Sequence, residues 1–141
     1  MKNEHHFDYV WGMVRDLRAT SSTIDKQGII EDYCNHKSDA ANFTRKILLY
    51  TYHPLWQYNV TSDNLKKKNH LEGKKYYDVF LLLNDLKDRV ITGHDAIGAV
   101  NSFVGLYPDY EELVHCIIDK DLKTRAGDKI INKAIDRKSV V

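Results

Sequence analysis

The sequence predicts an all-α protein, a compact bundle of about seven helices. Three observations carry that expectation. Apolar residues recur at spacings of three and four along most of the chain. Ser, Thr and Asp stand where helices would begin, with Pro close beyond a helix end or at a helix start. No stretch alternates apolar and polar residues as a half-buried strand would, and no internal repeat is present.

The first helix is expected over 7–18, where Phe7, Val10, Trp11, Val14 and Leu17 make one apolar face. The run 19–23 breaks it and supplies caps for a second helix over 24–35, with Ile29, Ile30, Tyr33 and Cys34 inward. Ser38 and Asp39 cap a third that runs to Tyr52, burying Phe43, Ile47, Leu48 and the tyrosines near its end. Pro54 follows as a stop. Residues 55–60 read as an aromatic extended segment packed on the helices, and 61–64 as the possible start of a helical turn. Residues 66–75 read as a polar loop containing Gly73.

Residues 76–90 form the most apolar helix. Tyr77, Val79, Phe80, Leu81, Leu82, Leu83 and Leu86 spread round most of its circumference, which predicts a central position. Thr92 offers a hydroxyl cap with Asp95 three residues on, opening a helix whose buried stripe is Ile97, Val100, Phe103 and Val104. Pro108 suits the first position of the next, with Leu113, Val114, Ile117 and Ile118 inward. The last helix follows a basic turn, with Ile130, Ile131, Ala134 and Ile135 at helical spacing.

At 141 residues the chain is long enough for one domain with a real core. Its 43% hydrophobic and 29% charged content is that of an ordinary globular protein, and no run of about 18 apolar residues suggests a membrane span. The amino terminus (Met1-Lys-Asn-Glu-His-His) lacks the apolar core of a signal peptide, so a cytoplasmic location is expected. Cys34 and Cys116 read as two buried thiols rather than a disulfide or a zinc site. The seven histidines are scattered, with no metal-binding spacing. There is no Gly-rich phosphate loop and no nucleophile elbow, so no catalytic residue and no metal ligand is assigned.

The overall charge of +1 hides a segregation. Residues 66–75 hold five lysines against Glu72 alone, and the chain from 119 on is basic again, while 76–118 is acidic. Two local basic segments on a near-neutral chain favour a localised polyanion contact. The candidate phosphate ligands are Lys123, Thr124, Arg125, Gly127, Lys129 and Lys133 around the last turn and helix, with Lys66, Lys67, Lys68, Lys74 and Lys75 in the other segment. Lysine and arginine neutralise phosphates, and a helix start offers unpaired N–H groups. No aromatic ring of either segment is placed to stack on a base, and Trp11, Trp56 and the tyrosines of 50–58 are expected in the core.

The order of elements resembles the N-terminal helical DNA-binding domain of T-even-phage-type ATP-dependent DNA ligases. The strongest match is Asp121-Leu122-Lys123, Ala126 and Ile130-Ile131-Asn132-Lys133. Weaker ones are Lys26-Gln27 to Ile30, Leu49-Tyr50-Thr51-Tyr52, Tyr77-Asp78 to Leu86, and Thr92-Gly93 to Ala96-Ile97. The resemblance spans residues 20–136 and implies a single DNA-binding domain over 1–141. In that family the domain grips nicked duplex DNA through backbone and minor groove, in support of replication, repair and recombination. Arg125 departs from the pattern, because relatives usually carry glycine there, which puts a backbone contact at 125 in doubt. The nucleotidyl-transfer motif Lys-x-Asp-Gly is absent, so no nick sealing by this chain alone is expected. ATP and Mg2+ would belong to a catalytic domain elsewhere, and no cofactor to this chain.

The partners so implied are nicked or duplex DNA, and further a catalytic ligase domain or a sliding clamp. The chain is expected to be monomeric, and cytoplasmic in the host cell if phage-encoded. The rival expectation is a helical interaction module, whose acidic 76–118 segment docks a clamp or catalytic subunit.

Overall fold

The computed structural model describes residues 4–135. The first three residues, and Asp136 at the end of the stretch compared above, lie outside them. Among the described residues there are eight α-helices and a 3-10 turn, and no strand. The chain divides into two compact units, one of Leu55–Asp119 and one of Glu4–Pro54 with the segment from Lys120 on.

The second of these units is built from α1 (Glu4–Arg18), α2 (Thr23–Cys34), α3 (Asp39–Tyr52) and α8 (Asp128–Ala134). Phe7, Val10, Met13, Val14 and Leu17 of α1 are buried, and Phe7 meets Phe43 of α3 edge-on at 5.3 Å. Both expected caps are made: Ser22 Oγ accepts from the Asp25 N–H at 3.2 Å, and Ser38 Oγ from the Ala41 N–H at 3.0 Å. Buried Thr44 and Thr51 turn their hydroxyls to the carbonyls of Ala40 and Ile47, so α3 buries polar atoms without orphaning them. On α2 the buried positions are Lys26, Ile30 and Cys34, four apart, while Ile29 and Tyr33 are only half-buried. A lysine thus occupies a core stripe. Burial pushes the Cys34 thiol up to about 12, which leaves it inert at neutral pH.

The other unit contains α4 (Ser62–Lys67), α5 (Val79–Lys87), α6 (Gly93–Leu106), the 3-10 turn Pro108–Tyr110 and α7 (Glu111–Ile118). Here α6 packs against α4, α5 and the 3-10 turn. Three expectations are corrected. The helix expected over 76–90 spans only Val79–Lys87, because the Asp78 carboxylate caps it by accepting from the Phe80 N–H at 2.8 Å. Tyr77, before the helix, and Leu81, on its outer face, are exposed rather than core. The polar loop at 66–75 begins later than expected, since Lys66 and Lys67 form the last turn of α4, capped by Thr61. Thr92 stands at the N-cap of α6 but makes no side-chain cap. Residues 55–60 are extended as expected, with Tyr58 and Val60 buried. Trp11 and Trp56 are half-buried, each beneath a cation: Arg18 at 5.2 Å and Lys87 at 5.0 Å. Cys34 and Cys116 are both buried free thiols. Among the described residues no helix is long and apolar enough to cross a membrane.

His115, buried on α7, has its imidazole pKa lowered, chiefly by desolvation; Glu111 and Asp119 oppose the shift and Lys66 adds to it. The unfolded chain then binds the proton more readily than the folded one, so stability is intact above pH ~6.5 and falls as pH drops through the lowered folded value. Replacing His115 with glutamine should flatten the acid limb of a thermal-denaturation profile measured between pH 7.5 and 5. An unchanged acid limb would place the sensitivity elsewhere.

Candidate nucleic-acid interface

Residues 119–127 form a turn whose course is set by side chains. Burial alternates: Leu122, Thr124 and Ala126 point in, while Asp121, Lys123, Arg125 and Gly127 are exposed. Asp121 Oδ1 accepts from the Lys123 N–H at 2.8 Å, and Thr124 Oγ1 from the Ala126 N–H at 3.2 Å. Both backbone groups of Leu122 are tethered. Its N–H donates to the Tyr52 hydroxyl at 3.1 Å, and its carbonyl accepts from Arg18 Nη2 at 2.9 Å. Helices α1 and α3 therefore hold the turn in place. Lys120 completes the frame by donating to the His53 carbonyl at 2.6 Å, and burial lowers its pKa.

The turn has three non-glycine residues in the left-handed region: Lys120 at φ 62°, Lys123 at 58° and Arg125 at 59°. Each such residue costs roughly 1–2 kcal/mol. Arg125 thus adopts the conformation a glycine would take most easily.

Beside this turn lies a cavity of about 470 Å3. Lys123, Thr124 and Arg125 line one side, and Arg18, Thr20, Ser21 and Lys26 the other. Four cations and three hydroxyls face it, and no carboxylate is among its lining residues. Arg18 is oriented by its bond to Leu122 and by the Trp11 ring. Lys26 is 4% exposed, and among the described residues it has no ion-pair or hydrogen-bond partner. The Lys26 stem packs in the α2 stripe while the residue lines the cavity, so an anion there would meet its ammonium. Arginine and lysine together suit a phosphate, the first as a fork and the second as a point charge.

The structure brings Lys123, Thr124 and Arg125 of the expected set together, and adds Arg18 and Lys26. Gly127, Lys129 and Lys133 do not line the cavity. Gly127 is the N-cap of α8, a helix of seven residues whose first turn carries Asp128, so a carboxylate already occupies the favourable place at that helix start. Lys129 and Lys133 are exposed. Arg18 and Lys26 were missed because each reads as a solvated helix position. The signal for Lys26 was present in the sequence: it stands four residues before Ile30 and eight before Cys34, on the stripe those two bury.

In the other unit, the second basic segment is held closely. Gly73 lies against α6, where its N–H donates to Ser102 Oγ at 3.1 Å. Asn101 Nδ2 donates to the Lys68 carbonyl at 2.9 Å, and Lys68 Nζ lies 3.2 Å from His94 Nε2. Lys66, Lys67, Lys74 and Lys75 are exposed, and the Lys74 ammonium sits 5.0 Å from the Tyr76 ring centre. The segment is thus anchored at several points against α6.

Fold and site together define an all-α module carrying a cation-lined cavity. Its fold is similar to part of a solved structure titled "Pmar-Lig_Pre.", with a TM-score of 0.65 and 23% identity over 87% of this chain. The match covers 28% of that structure's chain. No protein-family model and no curated protein matches the sequence.

Proposed function

We propose that this chain is a DNA-binding module of an ATP-dependent DNA ligase, holding nicked duplex DNA by its phosphates while the sealing chemistry belongs to a separate catalytic domain. The observation that carries the proposal is the cavity that Lys26 shares with Arg18, Lys123 and Arg125, with no carboxylate among its lining residues. The similarity of fold to part of a ligase supports the context. The residues assigned to phosphates are Arg18, Lys26, Lys123, Thr124 and Arg125, with the exposed lysines of 66–75 as further backbone contacts. Such contacts position a protein on DNA without reading sequence. ATP and Mg2+ would act in the catalytic domain.

A fluorescence titration of nicked and intact duplex tests this. Affinity should fall steeply with salt, since each neutralised phosphate releases counterions. Charge reversal at Lys123 and Arg125 together should abolish measurable binding at 0.15 M salt. Unchanged affinity would remove the cavity from the interface, and retention of a protein partner with no DNA binding at low salt would favour the docking module instead.

Arg125 gives a test with two signs. Arg125→Gly relieves the left-handed strain, roughly 1–2 kcal/mol, against a loss of about 0.5–1 kcal/mol from the freer unfolded chain. Stability should therefore hold or rise slightly, while the slope of log affinity against log salt becomes shallower by about 0.9. An unchanged slope would show that the guanidinium does not meet a phosphate.

A further inference from the structure

The shortened α5 leaves an unusual surface beside the second basic segment. Tyr77 is 61% exposed and Leu81 59% exposed, and both line a cavity of about 510 Å3 with Lys74 and Lys75 at its rim. An exposed ring and an exposed leucine thus share one concavity with two lysines, an apolar face beside positive charge. Buried Tyr76 lines it too; its hydroxyl donates to Asp85 Oδ2 at 2.5 Å, and its pKa is pushed up to about 12, first by burial and then by that bond. Asp78 also lines the cavity and uses Oδ1 to cap α5.

We propose that this cavity takes one unpaired nucleobase, stacked on Tyr77 against Leu81, with the adjoining phosphate held by Lys74 and Lys75. The inference rests on the DNA-binding reading above and names what the second basic segment meets. Charge decides the orientation. Asp78 and Asp85 repel a phosphate, so the phosphate stays at the lysine rim and the base enters. Each carboxylate keeps a second oxygen, and a carboxylate oxygen only accepts. The cavity therefore favours a base edge rich in donors. Guanine presents N1–H and its exocyclic amino group side by side, whereas thymine presents one N–H. Stacking itself is indifferent to base identity, so the carboxylates supply the preference.

The test uses the full chain and a labelled DNA hairpin whose end is blunt, or carries one unpaired guanine, or one unpaired thymine. The guanine end should bind roughly tenfold tighter than the blunt end, with thymine between them. Tyr77→Ala, at an exposed position, should remove that advantage and leave blunt-end affinity unchanged, and Tyr77→Phe should restore it. Equal affinity for blunt and guanine ends, or an advantage that survives Tyr77→Ala, would overturn the inference while the phosphate cavity stands. Failure of every hairpin to bind would overturn both.

Discussion

Replacing Lys26 with methionine should raise the stability of the free protein and weaken its DNA binding. The two signs have one origin. Lys26 is 4% exposed, and among the described residues nothing offsets its charge. Methionine keeps the length and apolar stem of the side chain and removes one of the four cations that line the cavity, which relieves their mutual repulsion in the free protein. In the complex the same ammonium would meet a phosphate. A hydrogen bond to a charged group contributes about 1.5–3 kcal/mol, so the variant should lose roughly 10- to 100-fold in affinity. Thermal denaturation and a DNA titration on the same samples check both halves. A variant that melts earlier than the parent would make Lys26 a structural residue instead.

The second large effect is expected at Gly98. A Cβ built there would lie 2.4 Å from the Glu72 carbonyl oxygen, and one built on Gly73 would lie 2.7 Å from the Ala99 nitrogen. These are backbone atoms on both sides, so neither can step aside by changing rotamer. Alanine normally improves a helix interior by about 0.5–1 kcal/mol over glycine. At Gly98 that gain is outweighed by overpacking, and Gly98→Ala should cost about 1–3 kcal/mol net and displace residues 72–73 from α6. Gly28 is the control, a helical glycine whose added Cβ would meet nothing within 4 Å. Gly28→Ala should melt later than the parent and Gly98→Ala earlier. Equal shifts would mean that the close approach at Gly98 is not a constraint.

The helical class was legible because burial of a helix face leaves a period of about 3.6, and the chain shows it in α1, α3, α6 and α7. Where the reading slipped, a local polar group had overruled periodicity. Asp78 caps the start of α5 at Val79 and leaves Tyr77 outside the helix, while Leu81, within it, lies on its exposed face. Lys66 and Lys67 fall within α4 because Thr61 caps a turn too short to show a period. At the candidate site, Lys123, Thr124 and Arg125 were visible as a basic turn. Arg18 and Lys26 were not, since their role depends on tertiary placement: α1 and α2 bring them to a turn about a hundred residues later in the chain. Arg125 shows the limit from the other side. The residue type alone does not reveal that Arg125 adopts a left-handed φ of 59°, which only the backbone shows.

The most direct measurement is a two-dimensional proton–nitrogen spectrum of the lysine ammonium groups during titration with nicked duplex. The Lys26 signal should shift at one equivalent and exchange more slowly with water, while exposed Lys37 stays in place. A Lys26 signal unmoved at saturating DNA would contradict the claim that this cavity holds a phosphate.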